Sequence, residues 1–117
     1  MATLPISPFQ TLTVKFEIVK NAILGRCPIA AIYDRRIRLL CPHVLGESKD
    51  GRYQALFYQF GGESHSGIEP DGSPANWRCL ALEKLSNVRL IDGNWHTAPN
   101  HSRPQTCVRM IHFEVTY

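Results

Sequence analysis

The stretch Arg35 to Gly46, RRIRLLCPHVLG, places three arginines, a cysteine and a histidine within nine residues. Those residue types could serve a metal, a nucleophilic pair or a basic binding strip. Cys41 and His43 are two apart, which on a strand puts both side chains on one face and could supply two zinc ligands. A zinc site needs two more. Cys27, Cys79, Cys107 and the five histidines offer no second close pair of the CxxC or HxxxH kind. The intervening Pro42 also points to a bulge or a strand end, where alternation fails. Cys41 and His43 therefore read as a core cysteine beside a surface histidine, and no metal is expected.

Catalysis fares no better. No GxSxG, HExxH or phosphate loop is present. GGESHSG offers Ser64, His65 and Ser66 among glycines, and backbone amides there could bind an anion, but such segments are ordinarily hairpin loops. A nucleophile built on Cys41 and His43 is the weakest reading. The chain is expected not to be an enzyme, with no catalytic residue and no cofactor.

The cations carry more. Arg35, Arg36 and Arg38 precede a turn into a strand that presents Arg52, and Arg78 and Lys84 follow the long loop. Tyr53, Phe57, Tyr58 and Trp77 are interleaved with them. A cationic groove with aromatic platforms suits single-stranded nucleic acid. For any one arginine, a solvated rim is the simpler account.

The elements that must position these residues can be read from periodicity. At 117 residues the chain is one domain, 1–117, with a real core, and 13 Lys and Arg against 10 Asp and Glu leave a net charge of +3. That surplus permits an anionic partner without requiring one. Residues 11 to 24 carry two competing periods: Leu12, Val14, Phe16 and Ile18 alternate like a strand, while Leu12, Phe16, Val19 and Ile23 form a helical stripe. Ser7 as cap, Pro8 in the first turn, Gln10 completing a capping box and Gly25 as stop decide for a helix over about 8–24. CPIAAIY and RIRLLCPHVL form a hairpin turning at Tyr33-Asp34-Arg35, with the second strand ending at Pro42. Asp50-Gly51 turns the chain into RYQALFYQF, whose two faces are both apolar, marking a central strand. Residues 61–76 read as a long exposed loop. WRCLALEKL, NVRLID and TCVRMIHFEVTY supply three more strands.

One helix and about six short strands joined by tight turns predict a mainly β fold, a small bent antiparallel β-barrel with an N-terminal α-helix. The amino terminus lacks a charged leader followed by an apolar run, and no apolar stretch could span a bilayer. The four cysteines are irregularly spaced and read as reduced, half-buried thiols of a cytoplasmic protein; disulfides would require an oxidising compartment.

From about Phe16 to Val88 the order of these pieces resembles the WYL domain, an Sm-like barrel found in bacterial transcriptional regulators and defence proteins. FEIVKNAILGRCPIAAIYD looks like the family's opening helix, basic turn and first strand. RRIRLLCPHVLG matches its basic strand, with Pro42 and Leu45 in place. KDGRYQALFYQ sits at the Trp-Tyr-Leu signature, with Tyr53, Gln54 and Ala55 in those positions. RCLALEKLSNV resembles the segment that normally reads Arg-x-Phe-Arg-Leu-Asp-Arg-Ile. Here Ala81 replaces the inner arginine, which in the family lines the ligand pocket, while Glu83 replaces the aspartate and Lys84 the later arginine. No helix-turn-helix precedes the barrel, so an isolated sensor or accessory module is expected.

The resemblance implies a non-enzymatic ligand-binding or regulatory module recognising nucleic acid or a nucleotide-like anion. Arg36, Arg38, His43, Tyr53, Arg78 and Lys84 are the candidate binding residues: Arg38, Arg78 and Lys84 for phosphates, Tyr53 for stacking. The alternative is a protein-interaction or homodimerisation module with no anion site, pairing through the edge of the last strand. No membrane partner is expected.

Overall fold

The computed structural model describes residues 10–65, 67–99 and 105–116. Helix α1 spans Leu12–Gly25. It begins at Leu12 rather than about residue 8 because Thr11 is the cap, its hydroxyl accepting the Val14 N–H at 3.2 Å. Ser7 and Pro8, expected to start the helix, lie outside the described residues. Gln10 completes no capping box: its side-chain amide pairs with the backbone of Val88, accepting the N–H at 2.7 Å and donating to the carbonyl at 2.9 Å. The left-handed residue that ends the helix is Arg26, with φ 50° and ψ 51°, rather than Gly25. Burial settles the competition of periods, since Val19, Ala22 and Ile23 are buried whereas Leu12 and Val14 are exposed.

Six strands follow among the described residues: β1 Ile29–Tyr33, β2 Arg36–Glu47, β3 Tyr53–Gly62, β4 Trp77–Ala81, β5 Ser86–Leu90 and β6 Met110–Glu114. All pair antiparallel in one sheet of order β4-β3-β2-β1-β5, with β6 added to β2. The fold is thus mainly β with an N-terminal helix, as the sequence predicts. No ladder joins β4 to β5, so the sheet is not closed.

The β1–β2 turn is Asp34-Arg35, both with positive φ (51° and 62°), the geometry that matches strand twist in a two-residue hairpin. Strand β2 does not end at Pro42. It runs on to Glu47, with a register shift between Pro42 and Val44, and the bulge is what admits a proline within the sheet. This length lets β2 pair with β1 through its first half and with β6 through its last.

The predicted strand over 77–85 is broken. After Ala81 the chain makes a 3-10 turn, Leu82–Lys84, before β5. Leu82 and Leu85 are both buried, and residues three apart eclipse in a 3-10 turn, whereas strand alternation would have sent them to opposite faces.

Alternation along β3 divides the core. Ala55 and Phe57 join the main cluster under α1, with Val19, Leu40, Leu45 and Leu82. Tyr58 and Phe60 face a second cluster with Cys41, Trp77, Trp95 and Ala98.

Two further expectations are corrected. Cys79 and Cys107 form a disulfide across 28 residues, so two of the four cysteines are not free thiols. Cys27 and Cys41 are free. The segment 61–76 is not simply an exposed loop, because Tyr58 donates to the Ser73 carbonyl at 3.1 Å and accepts the Gly72 N–H at 2.6 Å. The buried Asn76 side chain pairs with both backbone groups of Glu69. No helix among the described residues is long and apolar enough to cross a membrane.

Candidate anion-binding site

The predicted binding residues are distributed over several environments. Arg38 on β2 and Arg78 on β4 do come together. Both donate to Oε1 of Gln59 on the intervening strand β3, at 3.3 and 3.2 Å. Gln59 is fully buried and Arg38 nearly so. Burial lowers both guanidinium pKa values from their ordinary range, and for Arg38 the charge of Arg78 adds to that effect. Among the described residues neither forms an ion pair.

Several of their donors are already engaged within the fold. Arg78 donates to the carbonyls of Ala75 at 2.8 Å and Gly67 at 3.1 Å, which ties the middle and the end of the long loop to β4. Arg38 reaches the Tyr33 carbonyl at 3.4 Å and lies over the Tyr33 ring, 4.9 Å from its centroid. Chemically this pair is a clamp on the loop and the first hairpin.

Arg36 is turned back to Asp34, at 2.8 Å, beside a depression lined also by Arg35, Glu63 and His65. His43 is not a surface histidine, being 3% exposed. Its Nδ1 lies 2.8 Å from the Cys41 carbonyl and its Nε2 3.0 Å from the Thr97 hydroxyl, and its ring packs between Trp77 and Trp95. The bulge after Pro42 turns it inward. Tyr53 is half-buried at the rim of the core, its ring tilted against Phe16 of α1 at 4.9 Å. Cys41 is fully buried, and burial pushes its thiol up to about 12. Among the described residues no group of three or more His, Cys, Asp or Glu is placed to hold a metal.

Lys84 lies elsewhere, in an open cleft of about 530 Å³ whose lining contains neither Arg38 nor Arg78. Three segments build this cleft: the β2–β3 turn gives Lys49, Asp50 and Arg52, the 3-10 turn gives Glu83 and Lys84, and the segment before β6 gives Thr106, Cys107 and Arg109. Gln54 and Ala81, opposite one another in the β3–β4 ladder, also line it. The β2–β3 turn is fixed by Gly51, with φ 77°, and by the Ser48 hydroxyl, which accepts from the N–H groups of Asp50 and Arg52. Among the described residues four cations face two carboxylates. Arg52 is paired with Glu83 at 3.0 Å, while Lys49, Lys84 and Arg109 have no ion pair among the described residues. Such a site can attract an anion and hydrogen-bond it without first breaking an internal salt bridge.

Lys49 and Arg109 escape a sequence reading because no local spacing links them. They meet because the Arg109 N–H bonds the Glu47 carbonyl at 2.8 Å, beside the turn that holds Lys49. A scan against protein-family models and searches of curated proteins and solved structures find no match to the chain.

Proposed function

We propose that the chain is a non-enzymatic binding module of the WYL type that recognises nucleic acid or a nucleotide-like anion, and that the anion docks in the cleft lined by Lys49, Arg52, Lys84 and Arg109. The observation that carries this reading is the charge of that cleft, four cations to two carboxylates, with three of the cations unpaired among the described residues. Its volume falls in the range of small-ligand sites. The resemblance supports the same place: Ala81, at the position of the family's inner arginine, lines this cleft, and cations from the turn and from β6's approach supply charge around it.

The finer fold reading, an Sm-like barrel, is supported by connectivity. β4 and β5 stand at opposite ends of the sheet order yet are joined through residues 82–85 alone, so the sheet must bend to bring its ends near one another. A cytoplasmic setting, also part of the reading, requires the Cys79–Cys107 disulfide to be one of the transient or redox-responsive kind.

The test is fluorescence anisotropy of a labelled single-stranded oligonucleotide titrated with the protein at two salt concentrations. With about three phosphates neutralised, affinity falls about 20-fold for a fourfold rise in salt. Lys84→Ala, Arg109→Ala abolishes most of the binding, whereas Arg36→Ala leaves it. Salt-indifferent binding, or binding intact in the double variant, contradicts the proposal.

One observation favours the rival reading as an interaction module. β6 pairs only with β2 among the described strands, and Met110 and Ile111 on it are 60% and 46% exposed. Concentration-dependent dimerisation without oligonucleotide binding is its signature.

A further inference from the structure

We infer that the Cys79–Cys107 disulfide is a site of thiol–disulfide exchange, opened by a dithiol reductant, and that opening it dismantles the cleft beside it. Access comes first. Cys79 is exposed on β4, and β4 is an end strand that pairs with β3 alone among the described strands. The buried Cys41, by contrast, is closed to any reagent.

Electrostatics comes second. Gln54 Nε2 lies 2.7 Å from Cys79 Sγ and 3.7 Å from Cys107 Sγ, so one N–H donor serves whichever sulfur becomes a thiolate. Cys107 lines the same cleft as Lys84 and Arg109, and nearby cations favour a leaving thiolate.

The exchange balances as follows. A thiolate of the dithiol attacks Cys79 Sγ, the Cys79–Cys107 bond breaks, and Cys107 leaves as a thiolate that takes up a proton. The second thiol of the reductant, deprotonated, then attacks its partner sulfur in the mixed disulfide and expels Cys79, which is protonated in turn. The protein disulfide has gained two electrons, the dithiol has become a disulfide, and its two protons reside on Cys79 and Cys107.

The consequence follows from what the bond holds. Thr106, Cys107 and Arg109 form one wall of the cleft, and among the described residues this wall is otherwise held by the Arg109 N–H bond to Glu47 and the buried Val108, whereas β6 beyond it is seated by its own ladder to β2, the His112–Glu47 ion pair at 2.8 Å and the Val115 N–H bond to His43. Among the described residues the side chain of Gln105 bonds only within the segment, to both backbone groups of Val108. Reduction therefore loosens residues 105–109, before the β6 ladder, and moves Arg109 away from Lys84. The predicted loss of anion affinity on reduction rests on the reading of the cleft under Proposed function; the exchange and the loosening do not.

The experiment uses the full chain without denaturant. Free thiols are blocked with N-ethylmaleimide, dithiothreitol is added, and newly formed thiols are captured with an isotopically heavy maleimide and located by mass spectrometry, with circular dichroism reporting the fold. Hydrogen exchange is followed in parallel. The expected result is heavy label on Cys79 and Cys107 while the protein stays folded, about fivefold slower reduction in Gln54→Leu, and about tenfold faster exchange in 105–109 with α1 unchanged. Reduction seen only on unfolding, or unchanged protection of 105–109, overturns the inference. Exchange and loosening in a protein whose oxidised form binds no oligonucleotide support the latch while removing the anion reading, so the two failures are distinguishable.

Discussion

Arg38 and Arg78, on two strands separated in the sheet by β3, share a single acceptor, the buried Oε1 of Gln59, at 3.3 and 3.2 Å. A neutral amide thus holds two like charges together across β3. The carbonyls of Tyr33, Ala75 and Gly67 take up further donors, which ties the first hairpin and the long loop to the same point.

Removing Arg78 should therefore cost stability. Arg78→Ala strips the Ala75 and Gly67 carbonyls and Gln59 of a charged donor, a loss of about 2–3 kcal/mol, partly offset by relief of the repulsion on Arg38. Arg78→Lys restores little, since an ammonium cannot reproduce the planar fork. Urea unfolding checks this, and an unchanged midpoint in Arg78→Ala contradicts the clamp.

The disulfide should contribute on a similar scale. Closing a loop of 28 residues stabilises by about 3–4 kcal/mol in the chain-entropy account. Cys107→Ser and Cys79→Ser should lower the unfolding free energy by the same amount as each other, and the double variant should add nothing further. An additive double variant would mean that the two sulfurs act separately.

Cys41 should be inert at neutral and mildly alkaline pH. Burial pushes its thiol to about 12, so the folded state holds the proton more tightly than the unfolded chain does. The sign is fixed by that difference: between the unfolded thiol's ordinary range near 9 and the folded value near 12, the unfolded chain loses its proton first. This contribution to stability is intact below pH 9 and declines above it. Maleimide labelling of the native protein at pH 8 should spare Cys41 and modify it only on unfolding; rapid native labelling would contradict its burial.

Much of the framework is legible in the sequence because it depends on local rules. The Asp34-Arg35 hairpin, the Gly51 turn, the two apolar faces of β3 and the 3.6-residue stripe of α1 each follow from neighbouring residues. What escapes depends on register. Pro42 reads as a bulge or a strand end, and of the two it is the bulge that the sheet adopts, turning His43 into the core between two tryptophans. Lys84 reads as continuing a strand with Arg78, but the 3-10 turn that buries Leu82 and Leu85 carries it to another cleft. The pairing of Cys79 with Cys107 depends on the approach of the chain to β6, which no spacing encodes.

Gly46 should tolerate no side chain. A Cβ there would meet the Met110 carbonyl and come within 2.6 Å of Val108 Cγ1, where β6 docks on β2. Gly46→Ala should cost about 1–3 kcal/mol by overpacking and should raise hydrogen exchange selectively in residues 110–114. Unaltered protection of β6 would show that the strand is not seated there.

The most direct test of the central claim is an NMR titration of the ¹⁵N-labelled chain with a short single-stranded oligonucleotide at low salt. The account predicts that amide shifts concentrate at residues 48–54, 81–84 and 106–109, around the cleft of Lys49, Arg52, Lys84 and Arg109, and that they fade as salt is raised. Shifts confined to the β6 edge, or none at all, would contradict it.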